Sequence, residues 1–180
     1  ETCYKAGIRV FEFTNRGPKA LQNFIALDII RRQYYPDMVL GAGTVLTHQA
    51  ASDFVDAGAS FIVSPCFIQD VMGICEKKSI PYLPGCMTIK EIFDATAAGC
   101  KMVKIFPGDV VNIGFVKAAK AVLPDIKIMV TGGVNNENLS NWLSAGTQAV
   151  GLGSNYFENQ VSDALATIKN KIDAALKTAV

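Results

Sequence analysis

The amino-acid sequence predicts an α/β chain built as a (β/α)8 TIM barrel, and three observations carry that expectation. Short β-branched or aromatic runs alternate with helical patterns along the chain. The strand starts recur every 20 to 30 residues or so, the length of one strand–helix unit. Polar residues interrupt the apolar strands at their C-terminal ends, where barrel enzymes build their sites.

Taken in order, the strands are expected at Ile8–Thr14, Met38–Val45, Phe61–Cys66, Pro81–Met87, Met102–Pro107, Ile126–Val134 and Ala149–Ser154. Helical patterns follow, among them Lys19–Arg32, Ile89–Ala98, Phe115–Leu123 and Val161–Leu176. Strands separated by helices pair in parallel through right-handed crossovers. Seven units are visible where a closed barrel has eight. Glu1–Ala6 reads as the last turns of a helix, with Gly7 as its left-handed cap. The expected fold is therefore a barrel lacking its first strand and part of its first helix in this sequence. The alternative is a seven-strand open sheet, which leaves a long unpaired edge at Ile8–Thr14. Residues 1–180 are read as one domain.

Alternate side chains of a barrel strand point to the axis and to the surrounding helices. In the first strand Phe11 and Phe13 suit the helix side, so Val10, Glu12 and Thr14 point inward. In the fifth, Val103 and Ile105 take the helix side and leave Lys104 and Phe106 inward. In the sixth, Ile128 and Val130 leave Met129 and Thr131 inward, and Leu40, Ala42 and Thr44 form one set in the second. The expectation is that Glu12, Thr44, Lys104 and Thr131 converge on the axis.

A lysine inside an apolar strand is costly to bury. It is either half of a structural ion pair with Glu12 or a nucleophilic amine. In the second case burial and a nearby cation such as Arg16 lower its pKa. Moving it from about 10.4 to roughly 7–8 corresponds to about 4 kcal/mol. Two glycine-rich strand ends, Thr131-Gly132-Gly133 and Gly151-Leu152-Gly153-Ser154, offer backbone N–H groups to an anion, with Asn135 and Asn136 as candidate caps of the next helix.

Composition narrows the function classes. Half the residues are hydrophobic and 18% are charged, enough for a large core. A net charge of +1 with no basic run gives no footprint for nucleic acid. No apolar run approaches the roughly 18 residues of a membrane span. Five cysteines without a Cys-x-x-Cys pair suit a reducing, cytoplasmic setting, and one histidine, His48, makes a histidine-bound zinc site improbable. His48 itself, after Thr47, reads as a solvated first-turn residue. Cys66 and Cys86 read as small core residues at adjacent strand ends, Trp142 as packing a helix onto the barrel, and Glu76-Lys77-Lys78 as a solvated helix end.

The segments Gly7–Arg16 (GIRVFEFTNR), Gly41–Leu46 (GAGTVL), Phe61–Pro65 (FIVSP), Ile80–Gly85 (IPYLPG), Lys101–Pro107 (KMVKIFP), Val130–Val134 (VTGGV) and Gly151–Ser154 (GLGS) occur in an order and spacing that spans nearly the whole chain. In these the chain resembles the 2-keto-3-deoxy-6-phosphogluconate aldolases, which often also cleave 4-hydroxy-2-oxoglutarate. The resemblance implies Schiff-base chemistry at Lys104, acid/base work by Glu12, and carboxylate binding by Arg16 helped by Thr44, Pro65 and Thr131. It implies that Phe106 packs beside the lysine and that Gly132, Gly133, Gly153 and Ser154 hold phosphate. It also implies a homotrimer that uses neither metal nor cofactor. The chain departs from the family's usual pattern at Asn15, at Cys66 after Ser64-Pro65, and at Gly108-Asp109 after Phe106-Pro107. Three other readings stay open: an aldolase for the epimeric phosphogalactonate substrate, a phosphate-binding barrel isomerase or synthase without an imine, and a phosphosugar-binding module.

Overall fold

The computed structural model describes residues 1–153 together with Asn170, Asp173, Ala174 and Lys177. The helix expected over 161–176 lies outside them except at Asn170, Asp173 and Ala174. Seven parallel strands form one sheet in chain order: β1 (Val10–Thr14), β2 (Val39–Gly43), β3 (Ile62–Ser64), β4 (Tyr82–Cys86), β5 (Met102–Ile105), β6 (Lys127–Thr131) and β7 (Ala149–Gly151). Each lies inside its expected range. Among the described residues β1 pairs with β2 alone and β7 with β6 alone, and the seven strands form a curled, TIM-barrel-like half-barrel.

The helices are α1 (Thr2–Lys5), α2 (Ala20–Tyr34), α3 (His48–Asp56), α4 (Gln69–Lys77), α5 (Ile89–Ala97), α6 (Gly108–Val122) and α7 (Leu139–Ser144). Gly7 ends α1 as expected: at φ 98° its N–H donates to Tyr4 O and the Ile8 N–H to Cys3 O, both at 3.0 Å. Thr47 caps α3, its hydroxyl accepting from the Ala50 N–H at 3.1 Å, and leaves His48 exposed. Thr88 and Glu91 form a reciprocal capping box on α5.

Two helix starts differ from expectation. Only the second part of α6 falls within 115–123. Asn112 breaks the helix at φ 58°, and its side chain accepts from the Gly114 N–H at 2.9 Å to restart it. Before α7, Asn135 caps a turn, accepting from the N–H groups of Glu137 and Asn138, and Asn138 becomes the N-cap residue.

The core lies between the sheet and its helices. Leu40, Ala42, Ile62, Val103, Ile105, Ile128 and Val130 are almost fully buried. Three aromatic rings tie β1 to α2 and α3: Phe13 meets Phe24 edge-on at 5.7 Å, and Phe24 meets Phe54 at 5.2 Å. Trp142 joins this layer, as expected, and Glu76, Lys77 and Lys78 are solvated at the end of α4. Phe11 and Leu40 line an apolar cavity of about 290 Å³ with Leu27 and Ile30 of α2, which fixes the helix-facing side of β1 and β2.

Candidate active site

The opposite, axis-facing side gathers the polar residues. Lys104 of β5 is 8% exposed, and its Nζ sits 4.7 Å from the centre of the Phe106 ring. Among the described residues no carboxylate comes within ion-pair distance of it, so the structural ion pair with Glu12 does not form. Burial pulls the Lys104 ammonium below its ordinary pKa, and the Glu12 charge opposes that. Burial likewise raises the Glu12 carboxyl, and the Lys104 charge opposes it. The two groups share a field without touching as an ion pair, and burial drives both toward their neutral forms. Arg16 is exposed in the loop after β1 and is not among the causes acting on Lys104. The expected help from that cation is therefore absent, and desolvation alone lowers the amine.

Thr131 is half-buried on the axis side. Its Oγ1 is enclosed and unpartnered among the described residues, and its methyl lies against Gly151 of the next strand. Thr44 corrects the simple alternation. The set containing Leu40 and Ala42 faces the helices, while Gly41 and Gly43 face the axis. Thr44 lies just past β2 at φ 59°, a left-handed turn that cuts it off from the strand's period. Its carbonyl accepts a 3.5 Å bond from the Asn15 side chain.

Pro65 follows β3, and its carbonyl passes over Gly85, the residue paired with Lys104 across β4 and β5. Cys66 is another correction: it is exposed at the strand end rather than in the core, because β3 stops at Ser64 and the chain turns outward. Tyr82 pins that turn, its hydroxyl donating to Cys66 O and accepting from the Ile68 N–H. Cys86 is buried as expected, and burial pushes its thiol up to about 12.

Gly132 and Gly133 both adopt left-handed φ, 94° and 70°. They are packed against the start of α6: a Cβ at Gly133 would lie 2.6 Å from Asp109 Cβ, and one at Gly132 3.0 Å from Gly108 N. Gly153 is exposed, with no described atom near the place a Cβ would take, and Ser154 lies outside the described residues. Among the described residues no three His, Cys, Asp or Glu side chains converge as a metal-ligand set, and no helix is long and apolar enough to cross a membrane.

The axis-facing glycines Gly43 and Gly85 were not singled out from the sequence as parts of the site, and Gly151 was read only as part of a glycine-rich strand end. Glycine inside a strand is the available signal, since it marks close approach by a neighbouring group. Which group approaches is a tertiary fact.

Comparison with known proteins assigns the family. The family model described as "KDPG and KHG aldolase" matches residues 1–171. A 2-dehydro-3-deoxy-6-phosphogalactonate aldolase of Escherichia coli is 35% identical over 84% of this chain and 73% of its own length. A 2-dehydro-3-deoxy-phosphogluconate aldolase of Treponema pallidum is 34% identical over 77% of this chain and 64% of its own. Among solved structures, a KDPG aldolase from Legionella pneumophila, captured with pyruvate as a covalent carbinolamine, superposes with a TM-score of 0.88. It is 30% identical, covering 97% of this chain and 84% of that one. Aldolases are lyases, and by the family match this chain belongs to the KDPG and KHG aldolase family.

Proposed function

We propose that the chain is a class I aldolase in which Lys104 forms the Schiff base. The observation that carries this is a buried lysine with no counter-ion, seated against Phe106 and coupled through space to the half-buried carboxyl of Glu12. A lysine kept there for packing alone would carry an uncompensated desolvation cost. The covalent carbinolamine captured in the Legionella relative supports the same chemistry.

In this reading the neutral amine of Lys104 attacks the C2 ketone, giving a carbinolamine and, with loss of water, a protonated imine. Glu12 takes the C4 hydroxyl proton, directly or through one water. The C3–C4 bond breaks and its electron pair moves into the imine, leaving the enamine of pyruvate and an aldehyde. Glu12 returns the proton to C3, and hydrolysis frees pyruvate and the amine. Arg16, at the mouth, grips the substrate carboxylate through paired hydrogen bonds. Thr44, Pro65 and Thr131 complete that end, with the enclosed Thr131 hydroxyl free to bond substrate. The substrates are 2-keto-3-deoxy-6-phospho sugar acids, the gluconate epimer or the galactonate epimer, with glyceraldehyde 3-phosphate as the aldehyde. 4-Hydroxy-2-oxoglutarate, giving glyoxylate, is the short alternative. Gly132, Gly133, Gly153 and Ser154 take the phosphate.

Incubation with pyruvate and borohydride tests the imine. A reduced pyruvyl group is expected at Lys104 and is expected to vanish in Lys104→Ala. Active protein that carries no label, or carries it elsewhere, removes the Schiff-base reading. Steady-state kinetics on both epimers then assigns the preferred substrate.

A further inference from the structure

We propose that Gly43 is a positioning residue for the acid/base step: its missing side chain is the seat in which the Glu12 carboxyl rests. This rests on the role given to Glu12 above. Gly43 is the last residue of β2 and is paired with Thr14, while Glu12 is paired with Gly41. The Glu12 side chain therefore slants forward and sideways, off its own strand and onto the next. A Cβ at Gly43 would overlap Glu12 Oε1 and lie 2.6 Å from Cδ and 2.9 Å from Cγ. All three of its nearest atoms belong to Glu12. The backbone of Gly43 is outside the left-handed region, so its φ does not demand glycine.

The surroundings argue the same way. One step back along the same face, the Phe61 ring occupies the space a Cβ of Gly41 would take. Gly41 and Gly43 thus form two adjoining seats, one filled by an apolar ring and one by the carboxyl. The arrangement recurs around the sheet, where Gly151 receives the Thr131 methyl and Gly85 the Pro65 carbonyl. At Gly85 the intruding atoms are backbone, which cannot move aside. At Gly43 they are the far end of a flexible side chain, which can. Adding one methyl at Gly43 therefore leaves the fold intact and moves the carboxyl.

The test is Gly43→Ala. The expected result is a fall in kcat of at least about tenfold, a large part of the roughly 10²–10⁴-fold that a positioned acid/base group contributes. The extent of borohydride trapping of pyruvate on Lys104 is expected to be unchanged. The acidic limb of the kcat profile is expected to move to lower pH, because a carboxyl pushed from its buried seat loses the desolvation that raises it. The charged neighbour acting on it is Lys104 of β5. Unchanged kcat overturns the proposal, and so does trapping that falls in step with kcat. Should Gly43→Ala fail to fold, the melting temperatures of Glu12→Ala and of Glu12→Ala combined with Gly43→Ala decide. With the carboxyl gone the methyl is expected to cost nothing, and a pair that melts lower than Glu12→Ala alone overturns the proposal. Absence of label on wild-type Lys104 would instead strike the aldolase reading, which the melting comparison does not depend on.

Discussion

Two buried charges in this molecule are treated in opposite ways. Asp28, 3% exposed on α2, is held between two guanidinium groups: Arg31 Nε at 2.7 Å and Arg32 Nε at 2.6 Å. A Cβ at Gly58, at φ 104°, would lie 2.7 Å from Asp28 Oδ2, so the loop after α3 closes over the pair. Lys104, 8% exposed on β5, has only an aromatic ring beside it and a carboxyl acting at longer range. The first arrangement neutralises a charge; the second discourages the charge from forming. Burial with a full set of partners marks a structural group, and burial without one marks a group kept reactive.

Removing the lysine breaks the comparison most sharply. Lys104→Met is expected to abolish cleavage and labelling while raising stability by about 1–3 kcal/mol, since an apolar chain of similar length replaces an unpaired buried amine. Denaturant midpoints check this, and a destabilised Lys104→Met would mean the amine has partners of structural value. Glu12→Gln comes next, with kcat expected to fall by roughly 10²–10⁴ while the label survives. The pH dependence of labelling carries a sign. Labelling rises as Lys104 loses its proton, with a midpoint below the ordinary lysine value. The Glu12 charge holds that midpoint up, so Glu12→Gln is expected to move it to lower pH. An unchanged midpoint would show that the two groups are not coupled.

The structural charge gives the converse result. Asp28→Ala is expected to cost about 2–4 kcal/mol, because it strips the partner from the poorly exposed Arg31, and to leave kcat unchanged for the fraction that remains folded. The smallest effect is at the loop after β7. Gly133→Val would collide with Asp109 and confuse anion binding with packing, whereas a Cβ at Gly153 meets nothing among the described residues. Gly153→Ala is expected to lower kcat/KM several-fold on a phosphorylated substrate and not at all on 4-hydroxy-2-oxoglutarate. Equal change on both would place the phosphate elsewhere.

What the sequence made legible follows from where each residue stands. Alternation located Glu12, Lys104 and Thr131 because each lies within a regular strand, where the period of two holds. It failed at Thr44 because one left-handed residue resets the direction of every later side chain. It failed at Cys66 because β3 ends two residues before it, a boundary that propensity does not fix. Arg16 was placed near Lys104 as a candidate cation, and its carboxylate-binding role came from the resemblance. The structure leaves it exposed, so its electrostatic help to Lys104 was an assumption about distance that residue type could not supply. The glycine seats were invisible because a glycine's neighbour across the sheet depends on the register of two strands.

The strand order bears on how the chain reaches its native state. Strands start at residues 10, 39, 62, 82, 102, 127 and 149 and stand side by side in that order. Every pairing therefore closes a loop of similar length, and closure entropy grows only as the logarithm of that length. Among the described strands no pairing has to wait for a distant partner to arrive. The sheet can start at any adjacent pair and grow outward one unit at a time in both directions, as repeat proteins do.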